Sequence, residues 1–169
     1  ALNKSVESVT WLGSDNDLQP RSRESLDVQT HASLERNAGS INDFANSIRA
    51  MRRHEIERIG LGWMSGVIDD KASLAGMTDV YDAAIDASLT WAIRHQTQEM
   101  GLDEAPAAIA VIGMGRYGGR EVNFSSDADV IIIYRPSDNA DDNQANLFAH
   151  KVQEDLRAIL QLSLIHISE

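Results

Sequence analysis

The stretch "GMGRYGGREVNFSSDAD", residues 113–129, combines two patterns that indicate different chemistry. Its first half contains G-x-G-x-x-G, from Gly113 to Gly118, which is the spacing of a dinucleotide-binding turn. Its second half ends in Asp127-Ala128-Asp129, and two carboxylates one residue apart are typical of a divalent-metal site. The flanking sequence decides between a redox cofactor and a metal-dependent reaction of phosphates.

Short apolar runs on both sides of this stretch predict strands. Residues 107–112 and 130–134 are rich in Ile and Val, and they are bounded by glycine and by Pro136. Such runs are typical of buried strands. We expect the two strands to be neighbours in one sheet, with Asp127 and Asp129 at its rim.

The residues that follow the glycines do not fit a dinucleotide-binding site. A Rossmann fingerprint requires a full helix after the glycines and an acidic residue at the end of the second strand. Here only residues 120–126 separate Gly119 from the acidic pair, and the pair precedes the second strand. The sequence therefore disfavours a redox cofactor.

The acidic pair favours a metal-dependent function. In an extended chain, alternate side chains point to the same face, so Asp127 and Asp129 are expected to lie together. Two neighbouring carboxylates repel each other unless a cation lies between them. Mg²⁺ suits this role because it binds a few carboxylates together with phosphate oxygens. The alternative is a tight turn followed by a solvated acidic strand end, since D-x-D alone is a common pattern.

The glycines and serines then have a second role. Glycine lets backbone N–H groups approach a phosphate closely, hydroxyls add donors, and an arginine offsets phosphate charge. The candidate phosphate-binding residues are Gly113, Gly115, Arg116, Ser125 and Ser126.

Residues 109–134 resemble the nucleotidyltransferase core of the glutamine synthetase adenylyltransferase family, whose members both transfer and remove adenylyl groups. That family has the pattern G-M-G-[KR]-x-G-G-x-E-x-x-x-S-S-D-x-D-[LV]-I. The matching positions are Gly113, Met114, Gly115, Arg116, Gly118, Gly119, Glu121, Ser125, Ser126, Asp127, Asp129, Val130 and Ile131. The wider superfamily has Gly-Ser at the start, and here Arg116 replaces the serine.

The resemblance implies a nucleotidyltransferase that moves AMP from ATP to a tyrosine of glutamine synthetase. Mg²⁺ would be held by Asp127 and Asp129, and a PII-type nitrogen signalling protein would be a further partner. We favour the transferring half of the enzyme, because residues 11–26, "WLGSDNDLQPRSRESL", resemble its helical lead-in. The adenylyl-removing half and a non-catalytic nucleotide-binding regulatory module remain the alternatives.

The predicted fold is α+β and mainly α, with a helical bundle before the truncated start of a mixed-sheet core. Residues 1–40 are expected to be a polar lead-in with a short helix from about Ser22, and residues 41–101 the bundle. Its helices are predicted from Ser40 to near Asp69 and from Thr78 to Gly101. Residues 107–161 form the partial core, with a helix from about Gln144. Residues 162–169, "LSLIHISE", resemble sequencing-adapter read-through and are expected to be a non-native tail.

The family also implies a third carboxylate on a later strand, in a V-D-x-R-L-R-P-like segment. The remaining acidic residues after the second strand lie in a polar loop or on a helix, and none follows a strand. The chain also begins without Met. We therefore expect a fragment that is inactive by itself.

Composition limits the partners. The net charge of −11 disfavours nucleic acid, which binds basic surfaces. The absence of cysteine excludes disulfides and thiolate zinc sites, and it fits a cytoplasmic location. No apolar run approaches the roughly 18 residues of a membrane span, so no membrane association is expected.

Three other features are predicted to be structural. The stretch 54–58, "HEIER", falls short of H-E-x-x-H because Arg58 replaces the second histidine, so it is expected to be a solvated helix face. Trp63 and Trp91 are expected in the core and not stacked on a nucleotide. Arginines along the first bundle helix are expected to be exposed: Arg49, Arg52, Arg53 and Arg58.

Overall fold

The computed structural model describes residues 14–138 and 140–162, with the backbone alone for Leu162. A 3₁₀ turn at Asp15–Leu18 precedes three helices, α1 (Arg23–Arg36), α2 (Ile41–Met64) and α3 (Asp70–Glu99). Strand β1 (Ala107–Gly113), the one-turn helix α4 (Gly115–Gly118), strand β2 (Val130–Pro136) and helix α5 (Asp142–Leu162) follow. The predicted class, α+β and mainly α, is confirmed. Residues 1–13 of the predicted lead-in and residues 163–169 of the predicted tail lie outside the described residues.

Side-chain caps define the starts of the first three helices, α1, α2 and α3. Ser22, Ser40 and Asp69 each accept a hydrogen bond from a backbone N–H in the first turn. The predicted starts at Ser22 and Ser40 are therefore confirmed. The start predicted at Thr78 is wrong, because that residue lies inside α3 and its hydroxyl donates to the Leu74 carbonyl at 2.8 Å.

Glycine determines where two of these helices end. Helix α2 stops at Met64, earlier than the predicted end near Asp69, because Gly66 has a φ of 75° and the chain reverses there. The Val67 N–H then donates back to the Gly62 carbonyl at 2.9 Å. The stop predicted at Gly101 is confirmed, since α3 ends at Glu99 and Gly101 has a φ of 63°.

The described part of the predicted lead-in, residues 14–40, packs on the helical bundle. Leu26 and Leu34 on α1 are both 1% exposed and belong to the main apolar core. A Cβ placed on Gly76 of α3 would lie 2.7 Å from the Cβ of Pro20, so the chain before α1 packs tightly on α3. The sequence did not indicate this packing, because most residues of the segment are polar and only a narrow apolar stripe of α1 faces the bundle.

The core joins the helices to the hairpin. Phe44 of α2 stacks on Trp91 of α3 with ring centroids 5.8 Å apart, and Trp91 is 2% exposed, as predicted. A second apolar cluster contains Ala92 of α3 with Phe148 and Val152 of α5. Helix α5 therefore packs on both the bundle and the strands.

The two strands form an antiparallel pair whose register runs from Ala107 opposite Pro136 to Gly113 opposite Val130. The prediction that they are neighbours is confirmed. The prediction that they are buried is wrong for one face, where Ile131 and Ile133 are about half exposed. Within the described residues α5 packs on this pair of strands, and the outward side chains lack a covering layer. Antiparallel pairing also excludes a Rossmann crossover, which joins parallel strands.

No helix within residues 14–138 and 140–162 has both the length and the apolar character needed to cross a membrane.

Candidate functional site

The glycine-rich turn folds back on the end of β1. Gly115 has a φ of 52°, in the left-handed region that favours glycine. A Cβ on Gly118 would lie 2.3 Å from the Gly113 carbonyl oxygen, and a Cβ on Gly113 would lie 2.9 Å from the Tyr117 ring. These glycines therefore first serve close packing within the turn itself.

The acidic pair lies against this turn. The Asp129 carboxylate oxygen Oδ2 is 3.2 Å from the position that a Cβ on Gly115 would occupy. The Met114 N–H also donates to the Asp129 carbonyl at 2.8 Å, just beyond the last strand pair. The glycine-rich turn and the acidic pair thus lie together at one end of the hairpin.

Burial alternates through the acidic segment. Asp127 and Asp129 are exposed, whereas Ala128 between them is fully buried and Val130 is 6% exposed. The strand itself begins only at Val130, so the expected strand geometry does not extend to the acidic pair. The alternation nevertheless matches an extended segment whose alternate side chains share a face.

The two carboxylates suit a cation that draws further ligands from a substrate. Within residues 14–138 and 140–162, His, Cys, Asp and Glu form no group of three that could hold a metal ion. Mg²⁺ commonly uses one or two carboxylates and completes its shell with water and phosphate oxygens. The donor chemistry of Asp127 and Asp129 therefore fits Mg²⁺ bound together with a phosphorylated ligand.

Asn123 organises the predicted serine donors. Its Oδ1 accepts hydrogen bonds from the Ser125 backbone N–H at 2.9 Å and from the Ser125 and Ser126 hydroxyls at 3.0 Å each. Its own backbone N–H donates to the Ser126 hydroxyl at 3.1 Å. The hydroxyls thus donate within the turn. Sequence reasoning missed Asn123, although asparagine two residues before a serine is a known signal for an Asx turn.

The remaining phosphate-binding candidates surround the same turn. Arg116 lies on α4 with an exposed side chain, and its carbonyl accepts from the Glu121 N–H at 2.8 Å. Gly113 is half-buried and Gly115 is exposed. Their roles toward phosphate stay predictions.

Helix α3 holds both halves of the turn through polar contacts. The Tyr117 hydroxyl donates to Asp82 at 2.7 Å, and the Tyr81 hydroxyl donates to the Ser126 carbonyl at 3.2 Å. Arg120 donates to Asp79 at 2.6 Å. Sequence reasoning missed these contacts, because Asp79 and Asp82 share a helix face but their partners come from a distant segment.

Two of the residues in these contacts have raised pKa values, and one of them has a positive φ. Arg120 has a φ of 58°, which is uncommon for a residue with a side chain. Its hydrogen bond to Asp79 raises the pKa of its guanidinium. Burial, reinforced by the hydrogen bond to Asp82, raises the pKa of Tyr117, so its phenol stays protonated and keeps donating.

The prediction that residues 54–58 form a solvated face of α2 is wrong. Glu55 is 2% exposed and forms ion pairs with Arg58 at 3.3 Å and Arg21 at 3.6 Å. Burial raises the pKa of the Glu55 carboxyl, and the two arginines oppose that shift. Arg52 is likewise buried, with its guanidinium 4.9 Å from the centre of the Tyr81 ring, and burial lowers its pKa. Residues before α1 reach this part of α2, where Arg21 pairs with Glu55 and the Asp17 carbonyl accepts from Arg58 at 2.9 Å.

Trp63 also differs from its prediction. The side chain is 45% exposed at the end of α2, so it is not part of the core. Its Nε1–H donates to Asp70 Oδ1 at 2.6 Å, and its ring lies 5.9 Å from the Phe124 ring. Phe124 precedes the serine turn, so Trp63 lies beside the candidate site.

A helical bundle that holds a glycine-rich turn against an acidic pair defines an α+β protein with a candidate nucleotide site. Residues 3–164 match the glutamate-ammonia ligase adenylyltransferase family, and the chain belongs to this family. The resemblance inferred from the motif is thus confirmed.

The relatives of this chain in several bacteria share one name. The bifunctional glutamine synthetase adenylyltransferase/adenylyl-removing enzyme of Bifidobacterium longum is 73% identical over 161 residues, which is 95% of this chain and 15% of the relative. The Mycobacterium tuberculosis enzyme of that name is 39% identical over 112 residues, 66% of this chain and 11% of the relative. The Leifsonia xyli enzyme is 37% identical over 135 residues, 80% of this chain and 13% of the relative. The chain thus spans about 15% of the length of the B. longum relative.

Proposed function

We propose that this chain is part of the half of a bifunctional enzyme that transfers AMP from ATP to a tyrosine of glutamine synthetase. The observation that carries the proposal is the position of the Asp129 carboxylate beside Gly115, where Oδ2 lies 3.2 Å from the place that a Cβ would occupy. The acidic pair therefore lies next to the glycine-rich turn. The 73% identity to an enzyme named for both adenylyl transfer and adenylyl removal supports the bifunctional parent. The choice of the transferring half rests on the resemblance of residues 11–26 to its helical lead-in.

Asp127 and Asp129 hold Mg²⁺ in this proposal. Both are exposed at the end of the hairpin, and both offer the hard oxygen ligands that Mg²⁺ prefers. When bound, the ion supplies charge neutralisation at the phosphates. Two carboxylates leave room for the phosphate oxygens of ATP in the coordination shell.

The turn residues bind and orient the phosphates. Gly113 and Gly115 let the backbone approach the phosphates without a side chain in the way. Arg116 offsets phosphate charge from the exposed side of α4, and Ser125 and Ser126 contribute donors once their hydroxyls rotate away from Asn123. The contacts from α3 keep the turn in one conformation, so little ordering is required on binding.

The chemistry is a displacement at phosphorus. The tyrosine oxygen attacks the α-phosphate of ATP, a new P–O bond forms, and the bond to the leaving pyrophosphate breaks while the tyrosine proton passes to solvent. Such transfers depend chiefly on positioning and charge stabilisation. The rigid turn provides the positioning, and the acidic pair would hold the Mg²⁺ that provides the charge stabilisation.

A non-catalytic nucleotide-binding module is the second candidate. It would use the same glycine-rich turn and acidic pair to hold a nucleotide without transferring AMP. Such a module would bind a nucleotide and regulate a reaction that takes place elsewhere in the parent protein.

Assays of the parent enzyme carrying Asp129→Asn distinguish three assignments of this chain: the transferring half, the removing half and a regulatory module. We expect transfer of AMP to glutamine synthetase to be lost, while phosphate-dependent release of ADP from adenylylated glutamine synthetase continues. Loss of removal alone would assign the chain to the removing half. Retention of both activities would leave the regulatory module. Asp138→Asn, in the exposed loop after β2, is the matched control and should change neither rate.

Glutamine synthetase is the partner that this proposal requires, and a PII-type signalling protein is the proposed regulator. A cytoplasmic location likewise stays a proposal, based on the absence of cysteine.

A further inference from the structure

A cleft of about 310 Å³ lies between the end of α2, the start of α3 and the segment that leads to the acidic pair. This volume is at the lower end of the range for small-molecule sites. We call it the aromatic cleft. Its lining residues are Trp63, Asp70, Ser73, Leu74, Asn123 and Phe124.

Two aromatic rings dominate the cleft and are held in place although they are exposed. Trp63 and Phe124 are 45% and 47% exposed, with ring centroids 5.9 Å apart and planes inclined by 39°. The hydrogen bond to Asp70 fixes the indole, and the Phe124 ring packs on α2 where a Cβ on Gly60 would lie 3.5 Å away. Rings that are fixed before binding offer a planar ligand a surface at low entropic cost.

The polar groups of the cleft select for an amino-bearing ring. Asp70 uses Oδ1 to accept from Trp63, and a carboxylate with two oxygens accepts further hydrogen bonds. An exocyclic amine on a heteroaromatic ring is a suitable donor. The same negative charge repels a phosphate, so an anionic end of the ligand must point away from Asp70.

Asn123 connects the cleft to the candidate phosphate site. It lines the cleft, and it also binds the hydroxyls of Ser125 and Ser126 just before the acidic pair. A ligand with its ring in the cleft therefore has its other end near the serine turn. A planar amino-substituted base joined to phosphates has these properties.

We propose that the aromatic cleft binds the adenine base of the nucleotide, stacked against Trp63 and Phe124 with its amino group toward Asp70. This inference rests on the proposed function for the identity of the base. It assigns substrate recognition to Trp63, outside the motif, and to Phe124, at a position that the motif leaves open.

The test compares binding of AMP and of inorganic pyrophosphate to this chain, each with Mg²⁺. Saturation-transfer NMR on the adenine ring protons reports AMP, and phosphorus NMR reports pyrophosphate. Phe124→Leu keeps apolar volume but removes the ring, and Phe124→Tyr keeps the ring. We expect Phe124→Leu to raise the Kd for AMP at least about fivefold, because stacking on one aromatic side chain contributes that much. The Kd for pyrophosphate should stay within about twofold.

Controls separate stacking from folding. Trp63→Leu should weaken AMP binding in the same way, Phe124→Tyr should preserve it, and Val28→Ala on the exposed face of α1 should have no effect. Thermal melting identifies any variant that fails to fold. If a leucine variant does not fold, Phe124→Tyr is compared with the unaltered chain instead, and loss of its AMP signal would count against stacking on the ring.

The outcomes are distinguishable. Unchanged AMP binding in both Phe124→Leu and Trp63→Leu would overturn the base site and leave the proposed function intact, provided that pyrophosphate still binds. Absence of both AMP and pyrophosphate binding in the unaltered chain would overturn the base site and the proposed function together. In the parent enzyme, Phe124→Leu should raise the KM for ATP. A raised KM for glutamine synthetase alone would instead assign the cleft to protein docking and overturn the inference.

Discussion

The hydroxyl of Tyr117, in the glycine-rich turn, donates a 2.7 Å hydrogen bond to the carboxylate of Asp82 on helix α3. Asp82 also lies 3.4 Å from Arg120 and 3.5 Å from Arg23, so it joins the turn to two other segments. The turn is therefore anchored to the helical bundle as well as to its own strands. The stability of the turn should consequently depend on residues outside the motif.

Replacing Tyr117 with Phe tests this anchor. The phenol is buried and its acceptor is charged, so its removal should lower the free energy of unfolding by about 1–2 kcal/mol. Urea denaturation followed by circular dichroism measures the change. Tyr134→Phe is the control, because Tyr134 is exposed and its hydroxyl only accepts from Asn146. An equal loss in both variants would contradict a specific role for the Asp82 contact.

Gly118 should tolerate no side chain. Alanine there would place its Cβ 2.3 Å from the Gly113 carbonyl oxygen, so the backbone must shift. We expect Gly118→Ala to lower the free energy of unfolding by about 1–3 kcal/mol. Gly39→Ala meets no atom within 4 Å and should be neutral or slightly stabilising. Similar melting temperatures for the two variants would show that the turn is looser than described.

Glu55 should give stability a distinct pH dependence. Burial raises the pKa of its carboxyl above the ordinary value of 4.5, so the folded protein binds this proton more tightly than the unfolded chain. Relative to Glu55→Gln, the wild-type protein should therefore gain stability as pH falls from 7 through the raised pKa. The gain should level off below about 4.5, where the unfolded carboxyl is also protonated.

Chemical denaturation of both proteins across this pH range measures the difference. A wild-type protein that loses stability relative to Glu55→Gln on acidification would indicate that Arg21 and Arg58 outweigh the effect of burial.

The acidic pair by itself should not support catalysis. No third acidic or histidine ligand accompanies Asp127 and Asp129 within the described residues. We expect this chain with Mg²⁺ and ATP to transfer no measurable AMP to glutamine synthetase. Sustained turnover, measured with radiolabelled ATP, would show that the two carboxylates suffice or that another residue completes the site.

The sequence predicted the features that depend on local patterns. Serine caps at Ser22 and Ser40, the stop at Gly101 and two neighbouring apolar strands all follow from short-range chemistry. The start of α3 was missed because Thr78 and Asp69 are both of a residue type that caps helices. Gly76 allows Pro20 to approach α3, and no pattern near Gly76 indicates that contact.

The features that sequence reasoning missed depend on distant segments. Glu55 is buried, and its ion-pair partner Arg21 lies far away along the chain. Trp63 is exposed because α2 ends just beyond it, after the last residue that faces the core. In the candidate site, the motif identified the glycine turn and the acidic pair, whereas Tyr81, Asp82 and Asn123 act through contacts that a motif cannot specify.

The most direct test of the central claim is incorporation of radiolabelled AMP into glutamine synthetase by the parent enzyme carrying Asp127→Asn. Asparagine keeps the size of the side chain and removes the charge that would hold Mg²⁺. We expect a loss of initial rate of at least about a hundredfold, with unchanged thermal melting, because charge stabilisation at the phosphates is lost. An initial rate equal to that of the wild-type enzyme would contradict the assignment of the acidic pair as the metal site.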